Sequence, residues 1–279
     1  AVPGEARARF PFEDLYAILQ ALDDTDLVDC NLGLILLVLF FTFTRTECPC
    51  PKAWTGPHVF ERSKHWTVED FKLLRGPRGK WVLWVRFKGL KQDTRMERPS
   101  ASTQPEWLPF DPPSDGFGRD WVPIGDVEDP LFSVSRWYMA FVRAIGRQRK
   151  PDESFFVARC AVRAYTYACL MSDLKRMQDL LGLAHGTPHG LRVEGYNRSK
   201  AANGLDLTVA HGGWLSSGHS RYERFSFAQA CSILAGILGV ASLFGAEGAR
   251  GVSLARAQRG QAGAVASFDA AVDDLVQVE

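Results

Sequence analysis

The strongest chemical signal in the chain is a pair of basic side chains in the phrase His189-Gly190-Leu191-Arg192. On a helix, positions i and i+3 share a face, so an imidazole and a permanently charged guanidinium project together and suit an anion. A capping histidine followed by a surface arginine has the same spacing, so the pair gains meaning only from its company. That company is ordered along the chain. Thr44-Arg45-Thr46-Glu47 closes an apolar stretch, Lys88 ends a short aromatic strand, and His211-Gly212-Gly213-Trp214 precedes Arg221-Tyr222-Glu223-Arg224. Together these place further basic, aromatic and hydroxyl side chains in one ordered set with the anion-suited pair.

Hydrophobic periodicity predicts the elements that must hold these residues. Apolar positions at helical spacing (Leu15, Ile18, Leu19, Leu22) predict a helix over 12–27, and a second, more buried one over 31–45. The apolar core of the latter, 32–43, is about a dozen residues against the roughly 20 a bilayer span requires, so it reads as a core helix. Short aromatic and β-branched runs at 66–73, 81–87 and 94–98, broken by Gly76-Pro77-Arg78-Gly79 and Gly89, predict a small antiparallel meander. The stretch 99–130 carries seven prolines and reads as an extended connector. Helices are expected again over 131–145 and 168–181, with shorter ones near 189–202, 205–211 and 217–225. After 227 the composition turns to Ala and Gly, with one packed helix in 233–244 and a weakly ordered tail beyond 246. The expected class is α+β, mainly α, with a principal domain over 1–230 and a helix and tail over 231–279.

With 279 residues, 46% hydrophobic and 23% charged, the chain can bury a large core without disulfides or metal. Collagen-like, coiled-coil and wholly disordered readings are excluded. A net charge of +1 provides no global field for a polyanion, so a nucleic-acid site has to be a local cluster. Candidates for backbone contact are Arg143, Arg147, Arg149 and Lys150, with Arg198 and Lys200. Among the cysteines Cys30, Cys48, Cys50, Cys160, Cys169 and Cys231, only Cys48 and Cys50 are close in sequence. A zinc knuckle would need a second pair, so neither metal nor cofactor is expected. No basic segment precedes an apolar start, and an intracellular location is expected, nuclear if the source is eukaryotic.

The ordered set Arg45, Lys88, His189, Arg192, Trp214 and Tyr222 resembles the catalytic domain of the tyrosine recombinase (phage integrase-like) family over about residues 12–227. That family has an arginine after a buried helix, a hairpin lysine, a His-x-x-Arg helix, a Gly-His or Gly-Gly-Trp turn and a nucleophilic tyrosine, in this order. The phrases Gly190-Leu191-Arg192-Val193-Glu194-Gly195-Tyr196-Asn197 and Val209-Ala210-His211-Gly212-Gly213-Trp214 further resemble recombinases of eukaryotic mobile elements. Trp214 takes a position where most members carry His and some Trp. Two departures are visible: Tyr222 follows Trp214 by eight residues, one fewer than usual, and the amino-terminal DNA-clamping domain has no counterpart in this chain.

The resemblance implies roles. Arg45 and Arg192 would fork onto the non-bridging oxygens of a phosphodiester, with Glu47 as a structural neighbour, while Lys88 protonates the leaving 5′ oxygen. His189 would assist proton transfer from Tyr222, and Trp214 would donate its indole N–H to phosphate. The product would be a 3′-phosphotyrosyl bond that can be rejoined without ATP or metal. Lys91 competes with Lys88, His211 with Trp214, and Tyr196 with Tyr222, although Tyr196 suits core packing; His219 reads as a surface residue. Double-stranded DNA is the implied partner, with assembly of several copies on it and no membrane or small-molecule cofactor. Two other readings remain open: an inactive mobile-element relic that only binds DNA, and a scaffold whose 233–244 segment docks on a partner.

Overall fold

The computed structural model describes residues 10–75, 79–86, 121–203, 208 and 227–239. Helix α1 (Phe12–Ala21) buries Leu15, Ile18 and Leu19. Asp26 then starts α2 (Leu27–Thr42), its carboxylate accepting from the amides of Val28 at 2.9 Å and Asp29 at 3.1 Å. These bonds satisfy two of the four donors that a helix start leaves open. Every residue from Val28 to Thr42 is buried, as expected for a helix that is apolar all round. It is the central rod on which α3 (Val134–Ile145), α4 (Tyr167–Leu181) and α5 (Pro188–Asn203) pack. No helix among the described residues is long and apolar enough to cross a membrane.

Strands β1 (Phe71–Arg75), β2 (Trp81–Arg86) and β3 (Trp121–Gly125) form an antiparallel sheet in the order β1-β2-β3, with Leu73 opposite Leu83 and Val82 opposite Gly125. Phe71, Leu73, Leu83, Val85 and Ile124 join the common core. The protein is thus α+β and mainly helical.

The sheet differs from the sequence expectation in two places. The first strand starts at Phe71 and not at Trp66, because Thr67 and Asp70 close a capping box around a 3-10 turn: Asp70 Oδ2 accepts from both the amide and the hydroxyl of Thr67 at 2.7 Å. The third described strand, β3, lies inside the proline-rich stretch read as a connector. Proline lacks a donor and is confined to edges, and β3 is the edge beside β2, so Pro123 is accommodated between Val122 and Ile124, residues that favour strands. The expected strand at 94–98 and the helix at 217–225 lie outside the described residues, as does all of 205–211 except Thr208.

Helix α6 (Phe227–Leu238) begins ahead of the expected boundary at 230 and packs on α5 and β3. Ile233, Leu234, Ala235 and Ile237 are buried in this chain's own core, so that part of the segment is not a free docking face. Arg198 of α5 donates through Nε to the Ile237 carbonyl at 2.7 Å, and Asn203 Nδ2 donates to the Ile233 carbonyl at 3.2 Å.

Candidate functional site

The site is built where the end of α2 meets the first half of α5. Helix α2 stops at Phe43, which turns left-handed with φ 53° while its amide still bonds the Leu39 carbonyl. Thr44 is buried, its hydroxyl 2.8 Å from that of Thr42, and the chain then delivers Arg45 to solvent. A turn fixes the segment beyond Arg45: the Cys48 amide bonds the Arg45 carbonyl at 3.0 Å and the Cys50 amide that of Thr46 at 3.1 Å.

Helix α5 is started by Thr187, whose hydroxyl accepts from the Gly190 amide at 3.2 Å, with Pro188 as the first helical residue. His189 is consequently in the first turn and exposed, and Leu191 is buried. The helix crosses α2 at backbone distance. A Cβ added at Gly195 would lie 2.2 Å from the Phe40 carbonyl oxygen, so no side chain fits there. Next to it Tyr196 meets Phe43 edge-on, ring centroids 6.2 Å apart. One turn earlier on the same helix is Arg192.

This crossing brings two arginines that are remote in sequence near enough for the charge of one to bear on the other. Burial pulls the Arg192 guanidinium below its ordinary pKa, the positive charge of Arg45 adds to that, and Cys48 acts in the opposite direction. Arg192 is half-buried and Arg45 exposed. The thiol of Cys48 is pushed up to about 12, by burial first and by Glu47 second, although Arg45 and Arg192 both oppose the shift. It therefore remains a neutral thiol at physiological pH and does not neutralise the arginines. The charge of Arg45 thus bears on a partly desolvated guanidinium at Arg192.

Of the six residues assigned catalytic roles, Arg45 and Arg192 come together, and His189 occupies the turn of α5 before Arg192. Lys88, Trp214 and Tyr222 lie outside the described residues, as do Lys91, His211 and His219. Tyr196 packs on Phe43, as its position on α5 suggested.

Three of the proposed backbone-contact arginines are engaged within the fold, while Arg143 is exposed. Arg147 donates to Glu153 Oε2 at 2.6 Å and to the Ala161 carbonyl at 2.9 Å. The Arg149 side chain is buried and donates to the carbonyls of Ser154 and Phe155, and burial lowers its pKa to about 10. Arg198 lies over the Phe12 ring at 4.1 Å while it binds the end of α6. These three hold the fold together, and their sequence signature as basic residues did not distinguish them from surface cations. Lys200 is exposed.

No group of three or more His, Cys, Asp or Glu side chains is placed to hold a metal ion among the described residues. No protein-family model, characterised protein or solved structure matches the chain.

Proposed function

We propose that this chain is a tyrosine recombinase-type DNA strand transferase. The observation that carries the reading is the convergence of Arg45 and Arg192 at the α2–α5 crossing, one helical turn from His189. It supports the sequence resemblance because two guanidiniums from remote segments suit the two non-bridging oxygens of a phosphodiester.

In this reading duplex DNA presents one phosphate to Arg45 and Arg192, which bind its non-bridging oxygens and stabilise the charge that grows on them. The Tyr222 hydroxyl attacks phosphorus, with His189 assisting loss of its proton. The bond to the 5′ oxygen breaks and that oxygen takes a proton from Lys88, leaving a 3′-phosphotyrosyl link and a free 5′ hydroxyl. Trp214 donates its N–H to a phosphate oxygen. Attack by a 5′ hydroxyl reverses the step and joins the strands, with several copies assembled on the DNA to exchange them.

The test is a denaturing-gel search for covalent protein–DNA adducts on nicked suicide duplexes drawn from a randomised pool, followed by peptide mapping. An adduct on Tyr222 that Tyr222→Phe abolishes and Arg192→Ala depletes is the expected result. An adduct that survives Tyr222→Phe refutes the nucleophile. Arginine-dependent DNA binding without any adduct favours the relic, and neither adduct nor binding removes the DNA reading altogether.

A further inference from the structure

A cavity of about 560 Å³ opens between the segment after the Cys48 turn, the loop over 158–166 and the start of α4. Lys52, Trp54, Arg159, Tyr165, Ser172 and Asp173 are among the residues that line it. Trp54 is the unusual member. Trp66, Trp84, Trp121 and Trp137 are fully buried, whereas Trp54 is 50% exposed. Its ring is nevertheless fixed, because Nε1 donates to the Ala164 carbonyl at 2.8 Å and the Arg163 guanidinium lies 5.6 Å from the ring centroid. An exposed, immobilised indole is a stacking platform made in advance of its ligand.

The polar groups around it carry both signs of charge, and Arg159 bears on Asp173. Lys52 and Arg159 are exposed and bring positive charge to the cavity. Tyr165 is buried and its hydroxyl donates to Asp173 Oδ2 at 2.5 Å, so the carboxyl is held in a fixed orientation. Such a set fits a ligand with a flat aromatic part, hydrogen-bonding edges and a negative charge.

We infer that this cavity is a nucleotide site, in which a base stacks on Trp54 with its edge toward Asp173 and its phosphate is held by Lys52 and Arg159. The ligand is a free nucleotide or an unpaired nucleotide within a strand, which share this chemistry. The inference does not depend on strand transfer, since none of its residues belongs to the arginine pair.

The experiment is calorimetric titration of the full chain with 2′-deoxyadenosine 5′-monophosphate and with 2-deoxyribose 5-phosphate. Parallel titrations use a duplex carrying one unpaired adenine and its fully paired counterpart. Binding of the nucleotide is expected, at least tenfold tighter than the sugar phosphate. Trp54→Ala weakens it about tenfold or more, as does the double variant Lys52→Ala with Arg159→Ala. Trp54→Phe keeps an aromatic stacking face but loses the Nε1 bond to Ala164, so its affinity falls between wild type and Trp54→Ala, which separates lost stacking from a disturbed loop. Arg45→Ala leaves nucleotide binding unchanged.

A preference for the duplex with the unpaired adenine that Trp54→Ala removes assigns the ligand to a strand; nucleotide binding without that preference assigns it to a free nucleotide. Equal binding of the sugar phosphate, affinities insensitive to the Trp54 and Lys52/Arg159 variants, or loss of binding in Arg45→Ala overturns the inference. So does absence of both nucleotide binding and unpaired-base preference. Absence of a covalent adduct in the strand-transfer assay leaves it standing.

Discussion

Replacing Arg45 by Ala should separate a binding role from a structural one, because the two roles predict opposite signs. Arg45 is exposed and lies beyond the end of α2, so its removal opens no cavity. It does remove a positive charge that bears on the half-buried Arg192 guanidinium. Between groups this accessible, the relieved repulsion is a few tenths of a kcal/mol to about 1 kcal/mol. The melting temperature of the free protein should therefore stay constant or rise by about 1–3 °C.

DNA binding should move the other way. A charge-assisted hydrogen bond to phosphate is worth about 1.5–3 kcal/mol, hence roughly tenfold to hundredfold in affinity. Loss of one phosphate contact should also reduce the slope of log K against log salt by about 0.9. Thermal melts without DNA, paired with fluorescence-anisotropy titrations between 50 and 200 mM salt, read both quantities. A Tm that falls by more than about 4 °C, or an affinity and salt slope unchanged from wild type, would refute the argument that these arginines are held together for an anion.

Contacts elsewhere in the fold give further expected outcomes. Gly195→Ala should cost about 3 kcal/mol or more in chemical denaturation, since its Cβ meets the Phe40 carbonyl oxygen at 2.2 Å and neither backbone can yield cheaply. Asp26→Ala removes the acceptor of two α2 amides and should cost about 1 kcal/mol by the same measurement. Asp173 has its pKa raised by burial, with the Tyr165 hydrogen bond opposing, so the folded state holds its proton more tightly than the unfolded state. Its contribution to stability is complete below the ordinary value of 3.8 and is lost as pH rises through the elevated folded pKa, so wild type should lose stability relative to Asp173→Asn over that window in pH-dependent urea melts. Iodoacetamide followed by peptide mass mapping should modify exposed Cys160, whose pKa is lowered by backbone amides, well before Cys48, whose thiol lies near 12. Equal rates at the two would contradict the burial of Cys48 beside the arginines.

The helices were legible because their patterns are local. The apolar run of α2 and the spacing of Leu15, Ile18 and Leu19 report burial directly, and Asp26 marks a helix start by its chemistry. The third strand was obscured by its neighbours: Trp121, Val122 and Ile124 favour a strand, but the surrounding prolines read as a connector, and only the sheet order shows that Pro123 sits on an edge. Within the site, the shared face of His189 and Arg192 could be read from spacing. The approach of Arg45 to Arg192 could not, since it depends on how α5 crosses α2. The basic residues illustrate the reverse error. Arg147 and Arg149 are closely spaced cations in a polar-looking segment, yet they satisfy carbonyls and Glu153 within the fold. Trp54 and Asp173 had no sequence signal, because the cavity they line joins two distant segments.

The α2–α5 crossing shows why the arginine pair is more than a by-product of packing. What the crossing needs for stability is supplied by Gly195 at the Phe40 carbonyl, by Leu191 in the core and by Tyr196 on Phe43. None of these contacts requires a cation at 45 or at 192. Glu47, two residues past Arg45, influences the Cys48 thiol more than either arginine does. The charge of Arg45 therefore bears on Arg192 at a solvent-accessible point, between a backbone-to-backbone contact on one side and a bonded turn on the other. In the proposed function an anion meets both guanidiniums already placed, and the rigidity of the crossing means that little ordering is needed at the moment of binding.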